Sequence, residues 1–172
     1  MDFNILCTVH AANVDLKSFS DTFYREICDA RLQPVLEALK VMKQCGVWIE
    51  ITHLIIPTLN DTEEEIEALC RWIMEHLGHS TPLHLSRFFP NNQLNKLKPT
   101  PVETLLKAKT IAEDAGLKFV YVGNVRTREG ESTRCPSCST ILISRNAYRI
   151  ELNRLARGKC PECEAPIEGV WY

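Results

Sequence analysis

The sequence predicts an α/β fold: four parallel strands alternating with helices, half of a larger α/β unit, followed by a small C-terminal ribbon built on four cysteines. Three observations carry this. Apolar runs of strand length alternate with segments of helical periodicity from Ala11 to Val122, the pattern of a parallel sheet. Only four such strands are present, too few for a closed eight-stranded barrel. Two Cys-x2-Cys pairs then follow near the C-terminus, Cys135/Cys138 and Cys160/Cys163.

The elements follow in order. Ala11 to Leu16 reads as a short strand. Gln33 to Cys45 reads as a helix, with Pro34 in its first turn and Val35, Leu36, Leu39 and Met42 on one face. Gly46 supplies its C-terminal cap. Val47 to Ile56 is rich in β-branched residues, and its largely apolar character predicts a strand covered on both faces. Pro57 to Asn60 breaks that strand. Asp61 is then expected to cap a helix, with Glu64 completing a capping box. Ile66, Leu69, Cys70, Ile73 and Leu77 form its buried stripe. Glu63, Glu64 and Glu65 lie in its first turn, where the helix dipole favours carboxylates. Leu83 to Phe89 is the next strand, and Asn91 to Pro99 a polar loop. Thr100-Pro101-Val102-Glu103 reads as a full capping box opening a helix that runs to Ala115 and stops at Gly116. Lys118 to Val122 is the last strand of the series.

This organisation divides the chain into 1–125, a polar linker over 126–134, and a ribbon over 135–172. The chain has 172 residues, 45% hydrophobic and 24% charged, which suits one core domain plus a small module. Its net charge of -2 argues against nucleic acid as the main partner. Residues 1–125 carry 12 Lys/Arg against 16 Asp/Glu, and residues 126–172 carry 8 against 6. No apolar run approaches the roughly 20 residues of a membrane span. Met1-Asp2-Phe3 has no basic n-region, so no secretory signal is expected. Cysteine pairs of this kind read as metal binding in a reducing cytoplasm rather than as a secreted disulfide framework. Cys7, Cys28, Cys45 and Cys70 read as ordinary thiols, Cys70 in the core.

Two constellations carry chemistry. Cys135-Pro136-Ser137-Cys138 and Cys160-Pro161-Glu162-Cys163 are separated by 21 residues. Two cysteines three apart on a tight turn bring both sulfurs to one ion, and two such turns close a tetrahedral four-thiolate site. A closed site has no open coordination position and is structural, with zinc ahead of iron. Ile141 to Ile143 and Tyr148 to Ile150 are the expected hairpin between the knuckles. Ser139 and Glu164 stand where such knuckles usually carry glycine. The second constellation is Asp15-Leu16-Lys17. An acid and a base two apart on a strand point to one side, here at the carboxyl end where α/β sheets hold ligands. Spacing alone favours a surface ion pair.

The chain resembles the C-terminal half of the radical S-adenosylmethionine (SAM) enzymes of the AmmeMemoRadiSam system, which belong with the pyruvate formate-lyase activating enzymes. The segments that carry the resemblance are Ala12 to Phe19, Phe23-Tyr24-Arg25, Leu32 to Leu36, Ile56 to Asp61, His84 to Pro90, Thr100 to Leu105, Tyr121 to Val125 and the terminal Gly169-Val170-Trp171. It implies a partial (β/α) radical SAM barrel half with parallel strands, followed by a zinc ribbon. It further implies that Lys17 meets the SAM carboxylate, that Asp15 orients the amino end or a nearby cation, and that His84 lies near the ribose and methionyl part. Arg87 would reach a protein substrate or form a rim charge, and Gly123-Asn124 would approach adenine or form a plain turn.

The family's reaction is reductive cleavage of SAM at a [4Fe-4S] cluster, giving a 5'-deoxyadenosyl radical. The cluster needs a Cys-x3-Cys-x2-Cys run, and this sequence has none. Cys135, Cys138, Cys160 and Cys163 would saturate a cluster and cannot replace it. The expectation is therefore a half enzyme, truncated or split, that is inactive without a cluster-bearing N-terminal half. Its edge strand near Ala11 to Asp15 would favour self-association. The competing reading is a cluster-free zinc-ribbon module that docks a protein or nucleic acid through Arg145, Arg149, Arg154, Arg157 and Lys159.

Overall fold

The computed structural model describes residues 8–125, 128–146 and 149–171. The expected elements appear as β1 (Ala11–Asp15), α2 (Leu32–Gln44), β2 (Trp48–Ile55), α3 (Glu63–His76), β3 (Leu83–Arg87), α4 (Val102–Asp114) and β4 (Val120–Gly123), with α1 (Asp21–Ile27) between β1 and α2. The strands form one parallel sheet in the order β1-β2-β3-β4. Spatial order equal to chain order, with right-handed crossovers, puts every connecting helix on the same face. That is the strand order of a β/α barrel segment rather than of a doubly wound sheet.

The covered face holds the core. Ile49, Ile51 and Ile55 of β2, Leu83 and Leu85 of β3, and Val120 and Val122 of β4 pack against Leu36 and Leu39 of α2, the stripe of α3, and Leu105, Ala108 and Ala112 of α4. The whole expected stripe of α3 is buried, Ile66, Leu69, Cys70, Ile73 and Leu77 alike. Burial pushes the Cys70 thiol up to about 12, consistent with a core residue.

Five expectations need correction. β2 is not covered on both faces: buried and half-buried residues alternate along it, leaving Trp48, Glu50, Thr52 and Leu54 on an open face. The cap of α3 is Thr62, whose hydroxyl accepts from the Glu65 amide, while Asp61 accepts from the Thr58 amide in the preceding turn. Thr100 does not cap α4. Its buried hydroxyl donates to the Ile55 carbonyl at 2.6 Å and accepts from the Phe88 amide at 3.0 Å, so it ties the ends of β2 and β3 together. Helix α1 was not anticipated, being seven residues long; its signal was Ser20, whose hydroxyl accepts from the Phe23 amide. Cys45 is disulfide-bonded, whereas Cys28 and Cys70 are free. Cys7 lies outside the described residues.

Residues 128–131 form a helical turn, α5 (Arg128–Glu131), and are followed by β5 (Thr133–Arg134), β6 (Ile141–Asn146) and β7 (Arg149–Asn153). These three strands form an antiparallel sheet in the order β5-β6-β7. The second sheet thus reaches back into the segment expected as linker, of which residues 126 and 127 lie outside the described residues. The expected hairpin matches β6 and β7, with Tyr148 likewise outside them. Leu142, Ile143 and Ile167 pack with Phe119 and Tyr121, which anchors the ribbon to the β4 side of the parallel sheet. No helix among the described residues is long and apolar enough to cross a membrane.

Candidate functional site

The four cysteines converge. Cys135 Sγ lies 3.6 Å from Cys163 Sγ, Cys138 Sγ lies 3.6 Å from Cys160 Sγ, and all four sulfurs fall within 4.8 Å of one another. A tetrahedral ion with metal–sulfur bonds of about 2.3 Å needs sulfur–sulfur edges of about 3.8 Å. The arrangement therefore fits a single ion. It does not fit a cubane, whose ligands sit on four separate irons. The knuckles fold through Ser139 N to Cys135 O at 2.9 Å and Glu164 N to Cys160 O at 3.0 Å. Ser139 and Glu164 both adopt positive φ, 59° and 58°, the conformation for which knuckles prefer glycine. Hydrogen bonding to Thr140 pulls Cys138 down to about 6. At Cys163 the Ala165 amide favours the thiolate, yet the neighbouring cysteines outweigh it and push the thiol up to about 12. Four thiolates at this separation need a cation to offset their repulsion.

The ribbon is further closed by Trp171. Its Nε1 donates to the Ile167 carbonyl at 2.8 Å. The indole lies across Gly158 and Gly169, where any Cβ would collide with it.

The second site occupies the open face of the parallel sheet. The register aligns Asp15, Thr52, His84 and Tyr121 in one row across β1, β2, β3 and β4. Asp15 is the last residue of β1, one residue short of the strand end expected at Leu16, and Lys17 lies beyond the strand rather than on it. The Lys17 ammonium meets Asp15 Oδ2 at 2.5 Å, with both side chains about half exposed. His84 is not near them in bonding terms. Its Nε2 lies 2.7 Å from Glu50 Oε2, and its ring stacks on Tyr121 with centroids 5.0 Å apart. Trp48 Nε1 donates to Glu50 Oε1 at 3.3 Å. His84 draws the Glu50 pKa below the ordinary carboxylate value, against the opposing effect of burial. Tyr121 in turn shares a hydrogen bond with Thr133 Oγ1 at 3.0 Å. Arg145 Nη1 donates to the same hydroxyl at 3.0 Å and to the Glu131 carbonyl at 3.2 Å. Arg145 is thus committed to the junction of sheet and ribbon and is not part of a free basic surface. A cleft of about 340 Å³ opens beside this junction, lined by Trp48, Glu50, Tyr121, Arg145 and Trp171 among others.

Arg87 is also committed. Its Nε donates to the Thr100 carbonyl at 2.7 Å and its guanidinium lies 4.9 Å from the Phe89 ring centroid. Asn124, at φ 59°, donates to the Arg87 carbonyl at 3.1 Å, so Gly123-Asn124 forms a strand-end turn.

The Lys17 loop is held from below by buried polar side chains that the sequence did not single out. Asn60, fully buried, donates from Nδ2 to the Lys17 carbonyl at 2.8 Å and to the Leu54 carbonyl at 2.9 Å, and accepts from the Ile56 amide at 2.6 Å. Glu65 accepts from Ser18 Oγ and from the Phe19 amide at 2.8 Å. The Lys17 amide donates to Tyr24 Oη at 3.1 Å. His53 is fully buried with Nδ1 2.8 Å from the Leu16 carbonyl. A carbonyl only accepts, so Nδ1 carries the proton, and Nε2 is an acceptor with no hydrogen-bond partner among the described residues.

Burial lowers the His53 pKa, outweighing the bond to Leu16 that favours protonation. Below the ordinary histidine value of about 6.5 the unfolded chain therefore binds more protons than the folded one, and stability falls as pH decreases towards the folded value. Denaturant midpoints are expected to drop across this window and His53→Gln to flatten that part of the profile. A wild-type profile level through the window is the contrary result.

No family model matches the chain. It is 41% identical over 162 residues to an uncharacterised protein of Methanocaldococcus jannaschii, an alignment that covers 93% of this chain and 48% of the relative. The chain thus spans about half the length of the curated relative it matches. Among solved structures it resembles a domain of a pyruvate-formate lyase-activating enzyme from Bacteroides vulgatus, with a TM-score of 0.60 and 19% identity over 70% of this chain and 71% of that one. The fold is therefore the expected one, an α/β parallel sheet like that of an activating-enzyme domain, followed by a four-cysteine cluster consistent with a zinc ribbon.

Proposed function

We propose that the chain is the C-terminal half of a radical SAM enzyme of the pyruvate formate-lyase activating type, specifically that of the AmmeMemoRadiSam system, carrying part of the SAM site and a structural zinc ribbon. The observation that carries the reading is the position of Asp15 and Lys17. They sit at the carboxyl end of β1 on the fold of an activating-enzyme domain, with Asp15 in one row with His84 on the open face.

The residues present fit SAM. Lys17 offers a compact, half-exposed ammonium to a carboxylate, and Asp15 beside it suits an amino group. His84 lines the same face. SAM would supply the sulfonium whose carbon–sulfur bond is cleaved; the chain's own residues bind and orient it. The cluster does not fit. The sequence has no three-cysteine loop, and the ribbon sulfurs are placed for one ion. In this reading the half barrel is followed by a ribbon module whose sheet already includes β5 (Thr133–Arg134), in a cytoplasmic protein. Its partner is a cluster-bearing half corresponding to the rest of the M. jannaschii relative, and the chain alone is inactive.

Anaerobic reconstitution followed by elemental analysis and SAM calorimetry tests this. The isolated chain is expected to hold one zinc and no iron, and to show no binding tight enough for calorimetry. Grafted in place of the matching half of the relative, it is expected to bind SAM, and Lys17→Ala to weaken that binding about tenfold or more. A graft that holds iron but ignores SAM, or an isolated chain that binds both iron and SAM, overturns the reading.

A further inference from the structure

We propose that Glu50 is a positioning residue for His84: it fixes the imidazole as the Nε2–H tautomer and leaves Nδ1 as a hydrogen-bond acceptor for a hydroxyl or amino donor of a ligand on the open face. The ligand side of this inference rests on the functional reading above. The tautomer side rests on geometry alone.

The argument starts from register. His84 belongs to the row Asp15–Thr52–His84–Tyr121, and Glu50 lies two residues before Thr52 on β2, on the same face. That places a carboxylate diagonally beside the imidazole, with Nε2 to Oε2 at 2.7 Å. An ionised carboxylate has only acceptors, so the proton of this hydrogen bond belongs to Nε2. Glu50 cannot swing away easily, because Trp48 Nε1 holds its other oxygen at 3.3 Å.

The ring cannot turn freely either. It stacks on Tyr121 at an interplanar angle of 22°. Tyr121 is itself held by Thr133 through its hydroxyl, and the Arg145 guanidinium lies 5.9 Å from its ring centroid. Thr133 and Arg145 belong to the ribbon sheet. The histidine is thus clamped between a carboxylate on β2 and a tyrosine that the ribbon holds in place.

What remains is Nδ1. It has no protein partner among the described residues, and the His84 side chain is 31% exposed. A neutral imidazole with Nε2 protonated has a lone pair at Nδ1. A hydroxyl or an amine can donate to that lone pair, whereas a carbonyl or carboxylate is repelled. The dyad therefore selects for donor groups, while Lys17 selects for an anion at the end of the sheet.

Long-range proton–nitrogen correlation of the His84 ring at alkaline pH tests the inference in the intact chain. The wild type is expected to show the Nε2–H tautomer. In Glu50→Gln the side-chain amide can donate as well as accept, so a mixture or the Nδ1–H form is expected. Unchanged zinc content and melting temperature would show that the fold is retained. An Nδ1–H wild type, or a Glu50→Gln spectrum identical to it, overturns the proposal; the wild-type spectrum decides even where the variant does not fold. SAM added at millimolar concentration is expected to move the Nδ1 resonance in the wild type, with the apparent affinity falling about threefold to tenfold in Glu50→Gln. Equal affinity in both proteins overturns the positioning role. A SAM-silent spectrum with the expected tautomer instead overturns the SAM reading at His84 and leaves the Glu50 assignment standing.

Discussion

Replacing Cys160 with serine is expected to empty the four-cysteine site and unfold the ribbon while the parallel sheet stays folded. Structural zinc sites of this type contribute apparent binding free energies of about 10–16 kcal/mol, and in small modules that free energy is folding free energy. The ribbon has little else. Its own buried apolar side chains are few, chiefly Leu142, Ile143 and Ile167, and part of their packing comes from Phe119 on the edge of the sheet. A core of that size does not hold a fold unaided. Cys160 is buried, and its amide also bonds the Ala165 carbonyl at 3.0 Å, so it anchors both the ion and the second knuckle. Elemental analysis is expected to fall from one ion per chain to none. Limited proteolysis is expected to cut within residues 135–171 and spare the sheet, whose core is independent of the ribbon. A Cys160→Ser protein that retains its ion, or resists protease like the wild type, would show that something other than the four thiolates holds the ribbon. The loss should also be felt at a distance: without Thr133 and Arg145 in place, the hydroxyl and ring of Tyr121 lose their partners.

The second large effect is expected at Asn60. Alanine there removes three hydrogen bonds at once and strands the Ile56 amide and the Lys17 and Leu54 carbonyls. A buried polar group left without a partner costs about 1–3 kcal/mol, and the three are coupled through one side chain, so a loss of about 3 kcal/mol is expected. Denaturant unfolding with an unchanged m-value measures it. The loss should be structured as well as large. Amides of the 16–20 loop are expected to exchange faster, because Lys17 loses its carbonyl anchor, while amides in β3 keep their protection. Asn60→Asp discriminates further. It retains the acceptor for Ile56 but turns an anionic oxygen towards two carbonyls, so it is expected to be no better than alanine. A deficit under about 1 kcal/mol in Asn60→Ala would mean that the loop does not depend on this side chain.

Asn60 also marks where the sequence ran out. Read along the chain, Pro57-Thr58-Leu59-Asn60 is a turn, and nothing in its local pattern says that the asparagine faces inwards. Its partners lie 43, 6 and 4 residues earlier in the chain, and only the pairing of β1 with β2 brings the first of them within reach. Glu50 was hidden for a related reason. In an apolar strand a lone carboxylate reads as an exposed interruption, and its partner lies 34 residues further on. Thr100 was misread because its motif is satisfied by sequence: Thr-Pro-Val-Glu fits a capping box, but two carboxyl-terminal strand ends offered its hydroxyl better-placed partners.

What the sequence determined by itself was whatever depends on short range. Helical periodicity fixed α2, α3 and α4, strand-length apolar runs fixed the four parallel strands, and paired Cys-x2-Cys spacing fixed the metal site, because ligand geometry within a knuckle is set by three or four residues. The tertiary structure decided which face of the sheet stays open, that His84 answers to Glu50 and Tyr121 rather than to Lys17, and that the ribbon is bound to the sheet through Phe119, Tyr121 and Arg145. Those outcomes depend on strand register and on the one-sided placement of the helices, and a residue's own neighbours in sequence carry no record of either.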